Sequence, residues 1–154
     1  MVKFAPNSSL AQIQAWLRKH ANDGTNCPAC QQTVKVYRRK VNAGMARSLI
    51  LMYRAGGLDW VHLPTQIGSR SREEGKLAYW GLVEEQTSPR EDGGRAGYWR
   101  VTRLGELFIQ NGMTIPKYAR VYNGRCLSLD PTEQVSIQEA LGDRFNYNEL
   151  MGLA

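Results

Sequence analysis

The sequence has no long hydrophobic segment. Its longest uninterrupted apolar run is residues 49–53 of a 154-residue chain, whereas a membrane-spanning helix needs about 20 apolar residues. We therefore expect no membrane span. The N-terminal residues 1–6 also lack the apolar stretch of a secretory signal, which favours a protein of the cytoplasm, that of a host cell if a phage encodes it.

Cysteine and histidine are scarce, with three and two residues respectively. An odd number of cysteines does not suit a disulfide framework and favours a reducing compartment. The sequence also lacks a recognisable nucleophile–base pair, a glycine-rich phosphate loop and an acidic cluster spaced for two metal ions. We therefore predict that the protein is not an enzyme.

Glycine and proline are not abundant enough for a low-complexity chain, at 15 and 6 residues. Four Trp, seven Tyr and three Phe are too many for a disordered chain. The length suits one domain with a single hydrophobic core. The sequence therefore predicts one folded domain over residues 1–154.

Positive charge is concentrated in the middle of the chain. Twenty Lys and Arg against fourteen Asp and Glu give a net charge of +6. Residues 35–76 carry nine bases and three acids, whereas residues 126–154 carry one base and five acids. This distribution suits a polyanionic partner, although a solvated basic surface without any partner has the same composition.

Capping residues mark the starts of the predicted helices. Ser9, Ser71 and Ser136 each precede Gln or Glu by three positions, as in a capping box, while Asn42 and Thr102 are single capping residues. The predicted helices cover residues 10–21, 43–54, 72–80, 103–110 and a short acidic tail after 136, with a helical turn at 64–68. In the 72–80 helix, Leu77, Ala78 and Trp80 are expected to face inward.

Strand propensity and turn residues mark the predicted strands. They cover residues 33–37, 60–63, 82–85, 98–102, 118–122 and 125–129. The last two flank Asn123-Gly124, the dipeptide best suited to a tight type I′ hairpin turn. Residues 86–97 form a long polar loop between two strands that we expect to pair.

The order of elements between residues 43 and 110 is helix, short strand, helical turn, capped helix, strand, glycine-tipped loop, strand and helix. This is the order of a winged helix-turn-helix. Residues 98–108 also resemble the second wing strand and following helix of many winged-helix regulators. Thr102 is expected to cap that helix, Gly105 to allow close approach to the sheet, and Phe108 to fill the core.

We therefore predict an α+β fold in three parts. Residues 42–112 form a winged helix-turn-helix core. Residues 1–41 add an N-terminal helix, a cysteine knuckle and a basic strand, and residues 113–154 add a β-hairpin and a short helical tail.

The chain as a whole resembles a group of small, mostly uncharacterised proteins encoded by bacteriophages and prophages. The resemblance is carried by residues 27–30 (Cys-Pro-Ala-Cys), 35–40, 79–85 and 116–124. It implies a phage origin and the winged fold, but it implies no activity.

In a winged helix-turn-helix, the helix at 72–80 enters the major groove and the loop at 86–97 lies along the backbone or minor groove. This predicts a regulator that binds double-stranded DNA. The predicted contacts are Arg70, Arg72 and Lys76 for sequence preference, Arg90 and Arg95 for orientation, and Lys35, Arg38, Arg39 and Lys40 for nonspecific attraction.

Glu73 and Glu74 count against this interpretation, because carboxylates that face phosphates weaken binding. They also suit a helix N-terminus, and Glu73 is spaced to pair with Lys76. The alternative function is a phage accessory protein that binds a host or phage protein through the same scaffold, without nucleic acid. A homodimer is compatible with either function.

The run Lys35-Val36-Tyr37-Arg38-Arg39-Lys40 is the densest basic stretch of the chain. One interpretation is that a base of single-stranded nucleic acid stacks on Tyr37. The interpretation we favour is an exposed strand edge that carries Lys and Arg to discourage aggregation.

Cys27 and Cys30 have the spacing of one half of a zinc site. The remaining candidate ligands are His20, His62 and Cys126, of which His20 is closest in sequence. Bound Zn²⁺ and plain reduced thiols both remain open. A thioredoxin-like redox role is disfavoured because no strand before the motif indicates a βαβ unit.

Overall fold

The computed structural model describes residues 4–68, 73–87 and 97–153. Within them the chain forms a mixed α and β fold with antiparallel sheets, which confirms the predicted α+β class. The α-helices are α1 (Leu10–His20), α2 (Ala43–Gly56), α3 (Arg103–Ile109), α4 (Ile137–Leu141) and α5 (Tyr147–Met151). A single π-helical turn covers Leu63–Ile67, and a 3₁₀ helix covers Glu74–Trp80.

Eight strands form three antiparallel sheets in the described parts of the chain. The strands are β1 (Thr25–Asn26), β2 (Thr33–Val34), β3 (Tyr37–Lys40), β4 (Val61–His62), β5 (Val83–Glu85), β6 (Tyr98–Val101), β7 (Ile115–Tyr122) and β8 (Arg125–Val135). The sheet orders are β1-β2, β3-β7-β8 and β4-β6-β5.

Helix α2 lies at the centre of the main core. Its Leu49, Ile50 and Met52 are completely buried, as is Phe108 of α3. Full burial of one such side chain stabilises the fold by about 1.5–3 kcal/mol. The expectation that Phe108, Trp80 and Trp99 belong to the core is met, with Trp99 packed at its margin.

The predicted helix caps are confirmed at four positions. Ser9 and Ser136 form complete capping boxes, and the side chains of Asn42 and Thr102 accept hydrogen bonds from Met45 N and Gly105 N. These local hydrogen bonds satisfy amides that have no partner within the helix. The sequence therefore predicted where these helices begin.

Gly105 allows the close approach expected of it. A Cβ at this position would lie 2.3 Å from the Leu82 carbonyl oxygen and 2.8 Å from a methyl of Val101. Only glycine lets α3 lie this close to the sheet. The second predicted hairpin is also confirmed, with positive φ at Asn123 and Gly124, although its strands run longer than predicted.

Residues 33–37, predicted as a short strand or extended segment, do not form one continuous strand. Val34 ends β2, which pairs with β1, and Tyr37 begins β3, which pairs with β7. Between them the amide of the buried Val36 donates to the Ala21 carbonyl at 2.8 Å. Strand propensity does not reveal this change of partner, because each half is extended in its own sheet.

The α-helix predicted over residues 72–80 is a 3₁₀ helix from Glu74 to Trp80 where the structure describes it. A 3₁₀ helix has three residues per turn, so positions 74, 77 and 80 share a face. All three are buried, whereas Ala78, predicted to face inward, is exposed. The predicted capping residue Ser71 lies outside the described residues.

The basic strand β3 and the C-terminal hairpin belong to one sheet. Pairing of β3 with β7 joins the predicted N-terminal and C-terminal parts of the domain. The C-terminal helices also pack on the body, where Tyr147 Oη donates to the Ile109 carbonyl at 2.6 Å. No helix in the described parts of the chain is long and apolar enough to cross a membrane.

Candidate nucleic-acid interface

Strand β3 is an edge strand, as the favoured interpretation predicted. Its Arg38, Arg39 and Lys40 are exposed, and so is Lys35 just before it. Successive side chains of a strand point to opposite sides of a sheet, so Arg38 and Lys40 lie on one face and Arg39 on the other. The structure therefore brings these four predicted contacts together on one sheet edge.

Strand β7 adds two cations that the sequence analysis did not select. Arg120 lies directly opposite Arg38 in the β3–β7 register, and Lys117 precedes Tyr118, which lies opposite Lys40. We call the set Lys35, Arg38, Arg39, Lys40, Lys117 and Arg120 the basic strand surface. Like charges directly opposite one another destabilise a sheet, so this arrangement favours an anionic partner.

The signal for these additional cations was present in the sequence. Lys117 and Arg120 lie in the segment 116–124, just before the predicted hairpin turn. Their distance from residues 35–40 in the chain hid the pairing. Only the β3–β7 register shows that the two basic segments are adjacent.

Two tyrosines support the cations of the basic strand surface. The Arg38 guanidinium carbon lies 4.0 Å from the centre of the Tyr118 ring, and Lys117 Nζ lies 5.7 Å from it. Lys35 Nζ and the Arg39 guanidinium lie 5.6 and 5.3 Å from the Tyr37 ring centre. These cation–π contacts hold the charges in place without neutralising them.

Asp130 is the acidic neighbour of this surface. Its Oδ2 lies 3.2 Å from Arg38 Nη2, and 56% of the Arg38 side chain remains exposed. Hydrogen bonds from the hydroxyl and amide of Thr132 hold the pKa of Asp130 below its usual value, with a smaller contribution from Arg38. The Asp130 carboxylate is therefore fixed chiefly by Thr132, and Arg38 is largely available to a ligand.

Arg120 has neutral partners. Its guanidinium donates to Ser128 Oγ at 3.1 Å and to the side-chain oxygen of Asn22. These contacts orient the side chain and leave its charge uncompensated. Among the residues that the structure describes, Arg38 is the one member of the basic strand surface in an ion pair.

The 3₁₀ helix presents less positive charge than predicted. Lys76 Nζ lies 2.7 Å from Glu73 Oε1, which confirms the expected pairing. Glu74 does not face outward, where its carboxylate would weaken DNA binding. Its side chain is buried, and its Oε1 accepts a hydrogen bond from Ser48 Oγ of α2 at 3.1 Å.

The hairpin covers one side of the same helix. Tyr79 Oη donates to the Gly124 carbonyl at 3.0 Å, and Trp80 Nε1 donates to the Pro116 carbonyl at 2.7 Å. The side that includes Lys76 and Ala78 stays accessible. The predicted contacts Arg70, Arg72, Arg90 and Arg95 lie outside the described residues.

The cysteine knuckle lies between β1 and β2. The neighbouring backbone amides, that of Cys30 first and that of Ala29 next, lower the pKa of the Cys27 thiol. His20 does not join the pair, since its Nδ1 lies 2.8 Å from the Trp16 carbonyl and its ring stacks on Trp16. Strand β1 does precede the motif, but it pairs antiparallel with β2 and does not form a βαβ unit.

The other candidate ligands lie elsewhere. The His62 ring contacts Thr65 Oγ1 at 2.8 Å, which agrees with its expected role as a satisfied strand residue. Cys126 lies on β8, where burial raises the pKa of its thiol. Across residues 4–68, 73–87 and 97–153, no group of three His, Cys, Asp or Glu side chains is arranged to hold a metal ion.

An apolar groove of about 520 Å³ lies beside the basic strand surface, between α1, β2 and the hairpin. Leu17, Val34 and Leu127 line it, and Arg18 and Arg120 lie at its polar positions. Leu127 is 52% exposed.

No protein-family model, no curated protein and no solved structure matches this chain.

Proposed function

We propose that this protein binds double-stranded DNA and contacts the phosphates through the basic strand surface. The observation that carries the proposal is the placement of six cations on and beside two paired strands, with Asp130 as their acidic neighbour among the described residues. Long cationic side chains of this kind donate to phosphate oxygens and release condensed counterions.

The proposal includes a winged helix-turn-helix architecture for this chain. The order α2, β4, π-helical turn, 3₁₀ helix, β5, β6 and the sheet order β4-β6-β5 both agree with that fold. In it, the 3₁₀ helix is the reading helix and the β5–β6 connection is the wing. Arg70, Arg72 and Lys76 then supply sequence preference, Arg90 and Arg95 supply orientation, and the protein acts as a phage-encoded regulator.

The 3₁₀ helix contributes less to DNA binding than the basic strand surface does, because the hairpin covers one of its sides. Tyr79 and Trp80 are held by the hairpin, and Lys76 is paired with Glu73. The affinity is therefore dominated by phosphate contacts on the basic strand surface, and sequence discrimination is weak. The face that carries Arg38, Lys40 and Arg120 offers three phosphate contacts, which at about −0.9 each give a slope of log K against log salt of about −3.

The test is fluorescence anisotropy with a labelled duplex over a range of salt concentrations. The double variant Arg38→Gln/Lys40→Gln removes two exposed cations from the same face of the edge strand. We expect weaker binding to every duplex sequence and a salt slope reduced by about 2, because each lost phosphate contact removes about 1.

The matched control is Lys19→Gln/Arg103→Gln, which removes two exposed cations outside the basic strand surface. It should retain the binding and salt slope of the wild type. Equal weakening by both double variants would mean that net charge alone attracts DNA. Absence of binding by the wild type at low salt would refute the proposal.

The apolar groove favours a second candidate function, which is binding of a host or phage protein. Apolar side chains such as Leu127 mark protein contacts when they border an accessible groove. Leu127→Ser separates the two functions. It should leave DNA affinity unchanged, whereas a protein partner captured from nuclease-treated lysate should be lost.

A further inference from the structure

The cysteine knuckle is a rigid turn closed by backbone hydrogen bonds. Cys27 N donates to the Gln32 carbonyl and Gln31 N donates to the Cys27 carbonyl, each at 2.8 Å. Gln31 adopts a φ of 66°, a left-handed conformation that few side chains tolerate. The short hairpin β1–β2 anchors both ends of the turn.

The two cysteines of the knuckle lie on one closed turn. The hydrogen bond from Gln31 N to the Cys27 carbonyl spans the backbone of Cys30. A C-x-x-C turn supplies two of the four ligands in many structural zinc sites. Cys27 also packs against the small cluster of Ala21, Val34 and Val36, so its position is fixed.

The chain has no further soft ligand to complete a site in this fold. All three cysteines and both histidines are among the described residues. Cys126 Sγ donates to the Ser128 carbonyl in the hairpin, and His20 and His62 have the separate partners described above. A structural zinc ion takes four ligands, and this knuckle provides two.

The surface of the knuckle permits a second copy to approach. Cys30, Ala29 and Gln31 are exposed at its tip. Residues 25–34 include no charged side chain, although the chain carries a net charge of +6. Two knuckles can therefore approach each other without the like-charge repulsion that two copies of the basic strand surface would experience.

We propose that one zinc ion binds between two copies of this chain, with Cys27 and Cys30 of each copy as its four ligands. Four thiols lose their protons to solvent as four Zn–S bonds form, and no atom is oxidised or reduced. The site carries a net charge of −2. It is independent of the proposed DNA binding, since neither the metal nor the dimer requires nucleic acid.

The test is native mass spectrometry together with light scattering of the purified full chain, in a reducing agent that does not bind metal. With added Zn²⁺ we expect a dimer that contains one zinc ion per two chains, and with a strong chelator we expect the monomer. Co²⁺ in place of Zn²⁺ should give the intense visible absorption of a tetrahedral thiolate site, saturating at half an equivalent per chain.

The variant Cys30→Ser removes an exposed ligand from each copy and should abolish both metal uptake and dimerisation. Its far-ultraviolet circular dichroism should match the wild type, because Cys30 contributes no burial to the core. The matched control Cys126→Ser should retain one zinc ion per dimer. Zinc bound to a monomer, a dimer that survives the chelator unchanged, or no metal uptake under reducing conditions would each overturn the proposal.

Discussion

Ser48 on α2 donates a hydrogen bond to Glu74 on the 3₁₀ helix across 3.1 Å, and both side chains are buried. This contact fixes the rotation of the 3₁₀ helix on the core. It also keeps the Glu74 carboxylate away from the surface. The electrostatic objection to DNA binding is therefore reduced to Glu73, which is paired with Lys76.

Ser48→Ala should lower the free energy of unfolding by about 1–3 kcal/mol, because it leaves a buried carboxyl oxygen without its hydroxyl donor. Urea denaturation followed by circular dichroism measures the change. Ser128→Ala is the control, since this exposed hydroxyl accepts a hydrogen bond from the Arg120 guanidinium at the surface, and its effect should stay below about 0.5 kcal/mol. Equal effects of the two changes would contradict the buried contact.

Glu73→Gln should strengthen binding to duplex DNA under the proposed function, because it frees the charge of Lys76 on the accessible side of the 3₁₀ helix. Glu74→Gln should leave the affinity unchanged, since its side chain does not reach the surface. Anisotropy titrations at one low salt concentration compare the two variants. A gain from Glu74→Gln as large as that from Glu73→Gln would show that Glu74 faces the DNA.

Gly105→Ala should destabilise the fold by about 1–3 kcal/mol, as overpacking does, because the new Cβ would lie 2.3 Å from the Leu82 carbonyl oxygen. Thermal and urea unfolding measure the loss. Gly44→Ala in the first turn of α2 is the control. There the added Cβ meets only the Asn42 side-chain oxygen at 3.4 Å, and alanine should raise the free energy of unfolding by up to about 1 kcal/mol.

Thr132→Val should raise the pKa of Asp130 towards its ordinary value of 3.8, because the hydroxyl of Thr132 is the main cause of the lowered value. Arg38→Gln should raise it less. NMR of the side-chain carboxyl carbon during an acid titration measures both. A larger rise from Arg38→Gln would mean that the ion pair with Arg38, and not the hydrogen bonds from Thr132, is the main cause of the lowered pKa of Asp130.

The same pKa has a consequence for stability. A carboxyl whose pKa is lowered by folding stabilises the protein above its ordinary value of 3.8, and this contribution is lost as the pH falls through the folded value. Thr132→Val should therefore make the acid limb of the stability curve shallower. The variant and the wild type should approach each other in stability at low pH, where Asp130 is protonated in both states.

Most of the local structure was predictable because it depends on neighbouring residues. Ser9, Asn42, Thr102 and Ser136 cap helices through side chains that reach only three positions along the chain. The turn at Asn123 and Gly124 requires positive φ, which those residue types adopt. No distant contact was needed for any of these predictions.

The candidate interface was only half predictable. The four cations of residues 35–40 stood out as a dense run, whereas Lys117 and Arg120 did not. Their contribution depends on a pairing between segments about 80 positions apart, for which neither segment carries a local signal. The cysteine pair was visible from its spacing, but the absence of a third ligand among the described residues required the positions of every cysteine and histidine.

By itself the sequence determined the helix starts, the hairpin turn, the apolar core of α2 and α3, and the basic character of one edge strand, because caps, turns and hydrophobic periodicity act over a few residues. Only the tertiary structure decided that β3 pairs with β7, that Glu74 is buried and that the hairpin covers Tyr79 and Trp80. The physical reason is that these features depend on contacts between residues far apart in the sequence. The 3₁₀ helix shows this, because its period of three residues places positions 74, 77 and 80 on the one face that packs against the core.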